Sequence, residues 1–225
     1  MFKKVSILLV VVLIFSTILP SLSAMATAKA SESKAHDFDP NNFLLIETGK
    51  NKTVFNVIES DNEVYEYEVI TKNPDKENEK IQVNKYSIKN SKRNDLIEST
   101  EELVNSKQSI STSASCKGKN GTQISWAGTR ATLYLDSCTT KKIVNIIDGG
   151  YGSTGAIASI AGALKATGKF AKFVPYIGAI SGILFFAGSA IKLISGNGKY
   201  GIGYHMVRNP LTGDIYHANG IPWRQ

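Results

Sequence analysis

The sequence predicts an α+β protein: an N-terminal antiparallel β-meander plus helix, then a disulfide-closed β-hairpin, a hydrophobic α-helical hairpin and a C-terminal β-hairpin. Three observations carry this expectation. Residues 43–89 show strand-like runs, with period-two alternation clearest from 62 to 70. The chain holds one even pair of cysteines, Cys116 and Cys138. A 19-residue run from Phe173 to Ile191 carries no charge and lies between Lys172 and Lys192. A helix of that length spans about 28 Å, close to the thickness of bilayer hydrocarbon.

The first 26 residues read as an export signal. Lys3 and Lys4 precede the apolar run Val5 to Leu19, and overlapping small-x-small sites follow from Ala24 to Ala30. Cleavage is expected after Ala26 or Ala28, so the mature protein is expected outside the cell. In that setting Cys116 and Cys138 pair most simply as a disulfide.

From Phe43 to Lys89 three or four strands are expected, with turns at Ser60-Asp61-Asn62 and Asn73-Pro74-Asp75. Along 62–70, Tyr65, Tyr67 and Val69 share one face; Val64, Glu66 and Glu68 share the other. Asn94 to Lys107 is expected to be a helix, because Leu96, Ile97, Leu103 and Val104 return at seven-residue spacing. The Ser/Thr-rich stretch 106–115 then reads as a linker.

Charge changes sign at the same place. Residues 27–112 hold 12 Lys and Arg against 16 Asp and Glu; residues 113–225 hold 12 against 3. Two domains are therefore expected, an acidic β-rich one over 27–112 and a cationic one over 113–225. An exported chain whose cations are not interleaved with exposed aromatics is a poor nucleic-acid binder. An anionic membrane surface suits its second half better.

Beyond Cys116, strands are expected at 122–127 and 130–136 about the turn Gly128-Thr129, with Trp126, Leu133 and Leu135 forming an apolar face. Lys141 to Asp148 is one further apolar element. The hydrophobic hairpin follows over 154–195. Its first arm, Thr154 to Lys172, sets Ile157, Ile160, Ala161 and Leu164 along one helical face, and Lys165, Lys169 and Lys172 along an adjoining stripe. Its second arm, Pro175 to Ile194, carries Ile177, Ile183, Leu184, Phe185, Phe186 and Ile191, with Gly178 and Gly182 as a small-xxx-small pair. These apolar residues and glycines are the expected membrane-facing set, and the three lysines the expected cationic surface. The glycines, Ser181 and Pro175 make insertion conditional, so burial as a soluble core is the competing reading.

Catalytic patterns are scarce. No GxSxG elbow, HExxH or paired CxxC occurs, and Gly196 to Gly201 matches GxGxxG in spelling but follows a helix, not a strand. No catalytic residue, metal site or cofactor is assigned. In a terminal hairpin around 209–213, pairing of Arg208 with Asp214 would bring His205 opposite His217. The dibasic Lys92-Arg93 is a candidate processing site.

The layout from Cys116 onward, with Trp126-Ala127-Gly128, Gly149-Gly150 and Gly198 to Ile202, resembles that of secreted bacteriocin-like proteins of Gram-positive bacteria with a Gly/Ala-rich hydrophobic C-terminal hairpin. The resemblance covers residues 116–225 and implies an antimicrobial role. The expected function is thus a secreted, non-enzymatic antibacterial protein that permeabilises anionic bacterial membranes, with an immunity protein as a further partner. The alternative is a secreted or cell-surface binding or structural protein in which the hairpin is only core.

Overall fold

The computed structural model describes residues 39, 42–104, 115–125, 128–208, 215–218 and 222–225. Five strands follow one another as an antiparallel meander: β1 (Phe43–Thr48), β2 (Lys52–Ile58), β3 (Val64–Lys72), β4 (Lys80–Lys89) and β5 (Lys92–Leu103). Tight turns join them, helped by residues that tolerate the left-handed region, such as Asn62 (φ 63°) and Asn73 (φ 48°). The inner face carries Phe55, Val57, Tyr65, Tyr67, Val69, Ile81 and Val83, all buried. The alternation read between 62 and 70 therefore points the way the sequence predicts.

The expected helix over 94–107 is instead, from 94 to 103, part of the edge strand β5, paired with β4 along most of its length, and residues 105–107 lie outside the described residues. Asn90 (φ 50°) and Ser91 (φ 59°) both adopt the left-handed conformation and close a two-residue hairpin of the kind that matches strand twist. Leu96 and Ile97, which suggested a helical face, are 55% and 52% exposed. The seven-residue return of apolar residues thus reflected no buried stripe.

A second antiparallel sheet is built from β6 (Gly121–Ile124), β7 (Arg130–Leu135), β8 (Ile202–Arg208), β9 (Ile215–Ala218) and β10 (Trp223–Arg224). Its order is β10-β8-β7-β6, with β9 also on β8. Leu133 and Leu135 face the core as expected, while Trp126 lies outside the described residues. The linker 106–115 also lies outside them, apart from Ser115.

Between β7 and β8 run four helices: α1 (Ser137–Asp148), α2 (Ser153–Ala166), α3 (Ile177–Phe186) and α4 (Gly188–Ser195), with a 3-10 turn at Ala171–Tyr176 before α3. Asp136 caps α1 by accepting from the Thr139 amide at 2.8 Å. The expected second arm is broken: α3 and α4 meet at Ala187 and bend by 73°. No single described helix is long and apolar enough to cross a membrane.

α2 packs on β4 and β5 and α3 on β2 and β3, while α1 touches β7 and α4 touches β8 and β10. The helices are thus shared between the two sheets. One hydrophobic core results, running from Phe43 and Phe55 through Ile157 and Ile180 to Leu133 and Met206. The described residues from 39 onward form one compact unit. The boundary expected near 112 therefore does not separate two cores. A five-stranded sheet with one apolar face needs a partner layer, and the chain supplies it from beyond residue 113.

Candidate functional site

The residues with the strongest sequence signal, the hydrophobic arms, lie beneath the first sheet. α3 has no polar side: every residue from Ile177 to Leu184 is buried, and the Ser181 hydroxyl is satisfied by donating to the Ile177 carbonyl at 2.6 Å. A helix that is apolar all round belongs in a protein core or a membrane. Ile157, Ile160, Leu164, Ile177, Gly178, Gly182, Ile183, Leu184 and Ile191, expected on the membrane-facing surface, are buried here; Phe185 and Phe186 are half-buried. The reason is complementarity with the sheet. A Cβ added at Gly178 would lie 2.8 Å from the Val69 Cβ, and one at Gly182 would lie 2.5 Å from the Phe55 ring. The small-xxx-small pair therefore accommodates a sheet, where another helix was the expected neighbour.

Few polar bonds tie the helices to this sheet, and several gather at the start of α2. The Glu98 carboxylate accepts from the Thr154 hydroxyl at 2.6 Å and from Ser153 at 3.3 Å. Thr100 and Thr154 share a hydroxyl hydrogen bond of 2.7 Å. Tyr67 donates to Ser153 at 2.8 Å and also bonds Glu59, which Lys85 meets at 2.9 Å. A carboxylate at a helix N-terminus also favours the helix dipole. Burial and the neighbouring Glu59 charge push the Tyr67 hydroxyl far above its ordinary range, so it stays protonated.

The other end of α2 is held by charge. Lys165, expected on the cationic surface, forms an ion pair with Glu79 from the β3–β4 connection, the two side chains being only 8% and 10% exposed. This corrects the expected lysine stripe: Lys169 is exposed, whereas the Lys172 side chain lies outside the described residues. Further along, Thr53 donates to the Pro175 carbonyl at 2.9 Å. Apolar contact adds to these ties, with Tyr67 edge-on to Phe186 at 5.8 Å.

Cys116 and Cys138 form a disulfide with a Cα–Cα distance of 5.4 Å. Cys138 lies in the first turn of α1, so the bridge ties the entry of the second sheet to the helical layer. The backbone register expected for the two histidines, Arg208 with Asp214, is not the one observed. Backbone pairing of Arg208 with Ile215 and of Met206 with Ala218 includes a register shift, so His217 falls short of His205. His205 instead has its Nδ1 3.0 Å from the Thr132 hydroxyl and lies against Trp223 at 4.2 Å, the two rings tilted by 40°. Burial and the nearby Arg130 charge lower its pKa below the ordinary imidazole value, favouring the neutral ring. Among the described residues, no three His, Cys, Asp or Glu side chains converge to hold a metal ion.

Sequence reasoning missed the carboxylate latches Glu79 and Glu98 and the role of Trp223. Their signals are non-local: each meets partners dozens of residues away, and nothing in local spacing announces them. No family profile matches the chain, and neither do curated proteins or solved structures.

Proposed function

We propose that the protein is a secreted, non-enzymatic antibacterial protein that permeabilises anionic membranes of target bacteria. Its helical layer is the membrane-active part and its acidic N-terminal sheet is the cover that keeps this layer soluble. The observation that carries the reading is α3, a helix without a polar face held under the sheet mainly by apolar contact. Release would expose α2 and α3 together, and the polar ties to break include Glu98 with Ser153 and Thr154, Tyr67 with Ser153, Thr100 with Thr154, Thr53 with Pro175, and Lys165 with Glu79. The lysines freed or already exposed, Lys165 and Lys169, would then meet anionic headgroups. A producing cell would need an immunity protein against such an activity.

The test is dye leakage from anionic liposomes together with growth inhibition, using the mature protein and a clamped form. The 2.7 Å contact between Thr100 and Thr154 suits a T100C/T154C disulfide joining β5 to α2. The mature protein is expected to release dye, and the oxidised double variant to be slower by about tenfold or more because its open state is suppressed. The reduced double variant, which carries the same side chains without the bridge, is the control and should release dye at least as fast as the parent. No leakage and no growth inhibition by the mature protein would sink the proposal.

A second reading is favoured by the fit of Gly178 and Gly182 against Val69, Thr53 and Phe55. In it the helical layer never leaves the interior, and the protein is a secreted binding or structural protein. It predicts no partition into lipid under any condition that leaves the fold intact.

A further inference from the structure

The outward face of the second sheet carries an aromatic platform that the membrane reading does not use. Two adjacent cross-strand rows build it. Gln123, Thr132 and His205 form one row; Tyr134, Gly203 and Trp223 form the next. Because position 203 has no side chain, the indole of Trp223 lies across it; a Cβ there would come within 2.3 Å of the ring. The indole reaches Tyr134 edge-on at 6.4 Å and His205 at 4.2 Å. All three rings are only half-buried. The opposite face of the same strands, with Leu133, Leu135, Tyr204 and Met206, is core.

The platform is held rigid from beside it. Gln225 donates through its side-chain amide to the carbonyls of Ile202 at 2.6 Å and Leu135 at 3.0 Å, and its side-chain oxygen accepts from the Lys119 amide at 3.1 Å. Its backbone amide donates to the Gly201 carbonyl at 2.9 Å. The residue two places after Trp223 thus pins β10, so little ring freedom remains to be lost on binding.

We propose that this face binds an anionic glycan, with a sugar ring stacked on Trp223 and flanked by the edge-on Tyr134 and its Lys119. The half-buried Trp223 indole offers apolar area that matches the C–H face of a pyranose, and beside it lie the hydrogen-bonding groups of Gln123 and the His205 imidazole. The charge on the partner follows from the cations. Lys119 lies 3.8 Å over the Tyr134 ring, Arg130 is exposed at the end of β7, and the five strands of this sheet hold no Asp or Glu. Such a field selects a polyanion. Single-stranded nucleic acid also stacks on aromatic residues. These hydrogen-bonding groups and the export signal favour a glycan over it.

The test uses the whole mature protein and isothermal titration at low salt with polygalacturonate, neutral dextran, polyglutamate and an oligothymidylate as probes. Polygalacturonate is expected to bind most tightly, by about tenfold over each of the others, and to weaken as salt rises. Tyr134→Leu and Lys119→Gln should each reduce that affinity several-fold, and Trp223→Ala should abolish it. Because Trp223→Ala also uncovers Gly203, its unfolding midpoint is measured alongside, and the other two variants decide if it fails to fold. Equal binding of polyglutamate would overturn the proposal by showing a mere cationic surface. So would preference for the oligothymidylate, absence of polygalacturonate binding, or full affinity in both Tyr134→Leu and Lys119→Gln.

Discussion

At Gly182 one added methyl group is enough to disturb the contact between helix and sheet. The ideal Cβ lies 2.5 Å from the Phe55 Cζ and 2.9 Å from its Cε2, and Phe55 is fully buried between Phe43 and Tyr67, so the ring has nowhere to retreat. Gly182→Ala is expected to destabilise by about 1–3 kcal/mol through overpacking. Gly162 in α2 is the control, since nothing lies within 4 Å of its added Cβ. There the same change should stabilise by up to about 1 kcal/mol through helix propensity. Urea midpoints of the two variants check the pair; an unchanged Gly182→Ala would mean that α3 does not sit against β2. Residue spacing made Gly178 and Gly182 visible in the sequence as a smooth face. It carried no information on what packs there, because a sheet and a second helix ask for the same small residues.

At the scale of elements, the strands of the meander were legible and β5 was not. β2, β3 and β4 bury one face through Phe55, Val57, Tyr65, Tyr67, Val69, Ile81 and Val83, and the apolar alternation follows that face, although Val54, Glu68 and Asn84 are buried on the other. β5 is an edge strand with irregular pairing between Arg93 and Glu98, and its exposed side relaxes the pattern. Its carboxylates and those of β3 nonetheless tie the sheet together across strands. Glu101 receives Lys72 and Lys80, each at 2.6 Å, and these hydrogen bonds push its carboxyl down to about 2. Partial burial of Glu68 opposes ionisation, but hydrogen bonding from Asn84 and the Arg93 charge outweigh it and leave its pKa lowered. Carboxyls depressed in the folded state contribute stability that is present above the ordinary value of 4.5 and lost as pH falls through the folded value. Stability is therefore expected to hold toward neutral pH and to decline from about pH 4.5 toward pH 2. Glu101→Gln should flatten part of that decline in urea titrations followed across pH. A parallel decline in variant and parent would remove Glu101 as a contributor.

The whole molecule departs most from what charge suggests. The change of sign near residue 112 is a property of the surface, since ionised side chains stay outside unless paired, as Lys165 and Glu79 are. The core follows apolar faces instead, and those of the first sheet and the helical layer complete each other. Tyr67 is fully buried with Ser153 and Phe186 from the helical layer against it, and Ile157 and Leu164 are fully buried in α2, which packs on β4 and β5. Burial of side chains of this size stabilises by about 1.5–3 kcal/mol each, so separating the halves forfeits an amount comparable with a domain's usual net stability of about 5–15 kcal/mol. Residues 27–112 and 113–225 expressed apart are thus expected to lack cooperative unfolding and to expose hydrophobic surface to a reporter dye. The joined mature chain should unfold in one transition at the same midpoint by circular dichroism and by fluorescence. When mixed, the fragments should recover a cooperative transition if the interface alone carries the fold. A fragment 113–225 that unfolds cooperatively by itself would show that the helical layer needs no cover, and would remove the argument that the sheet keeps it soluble.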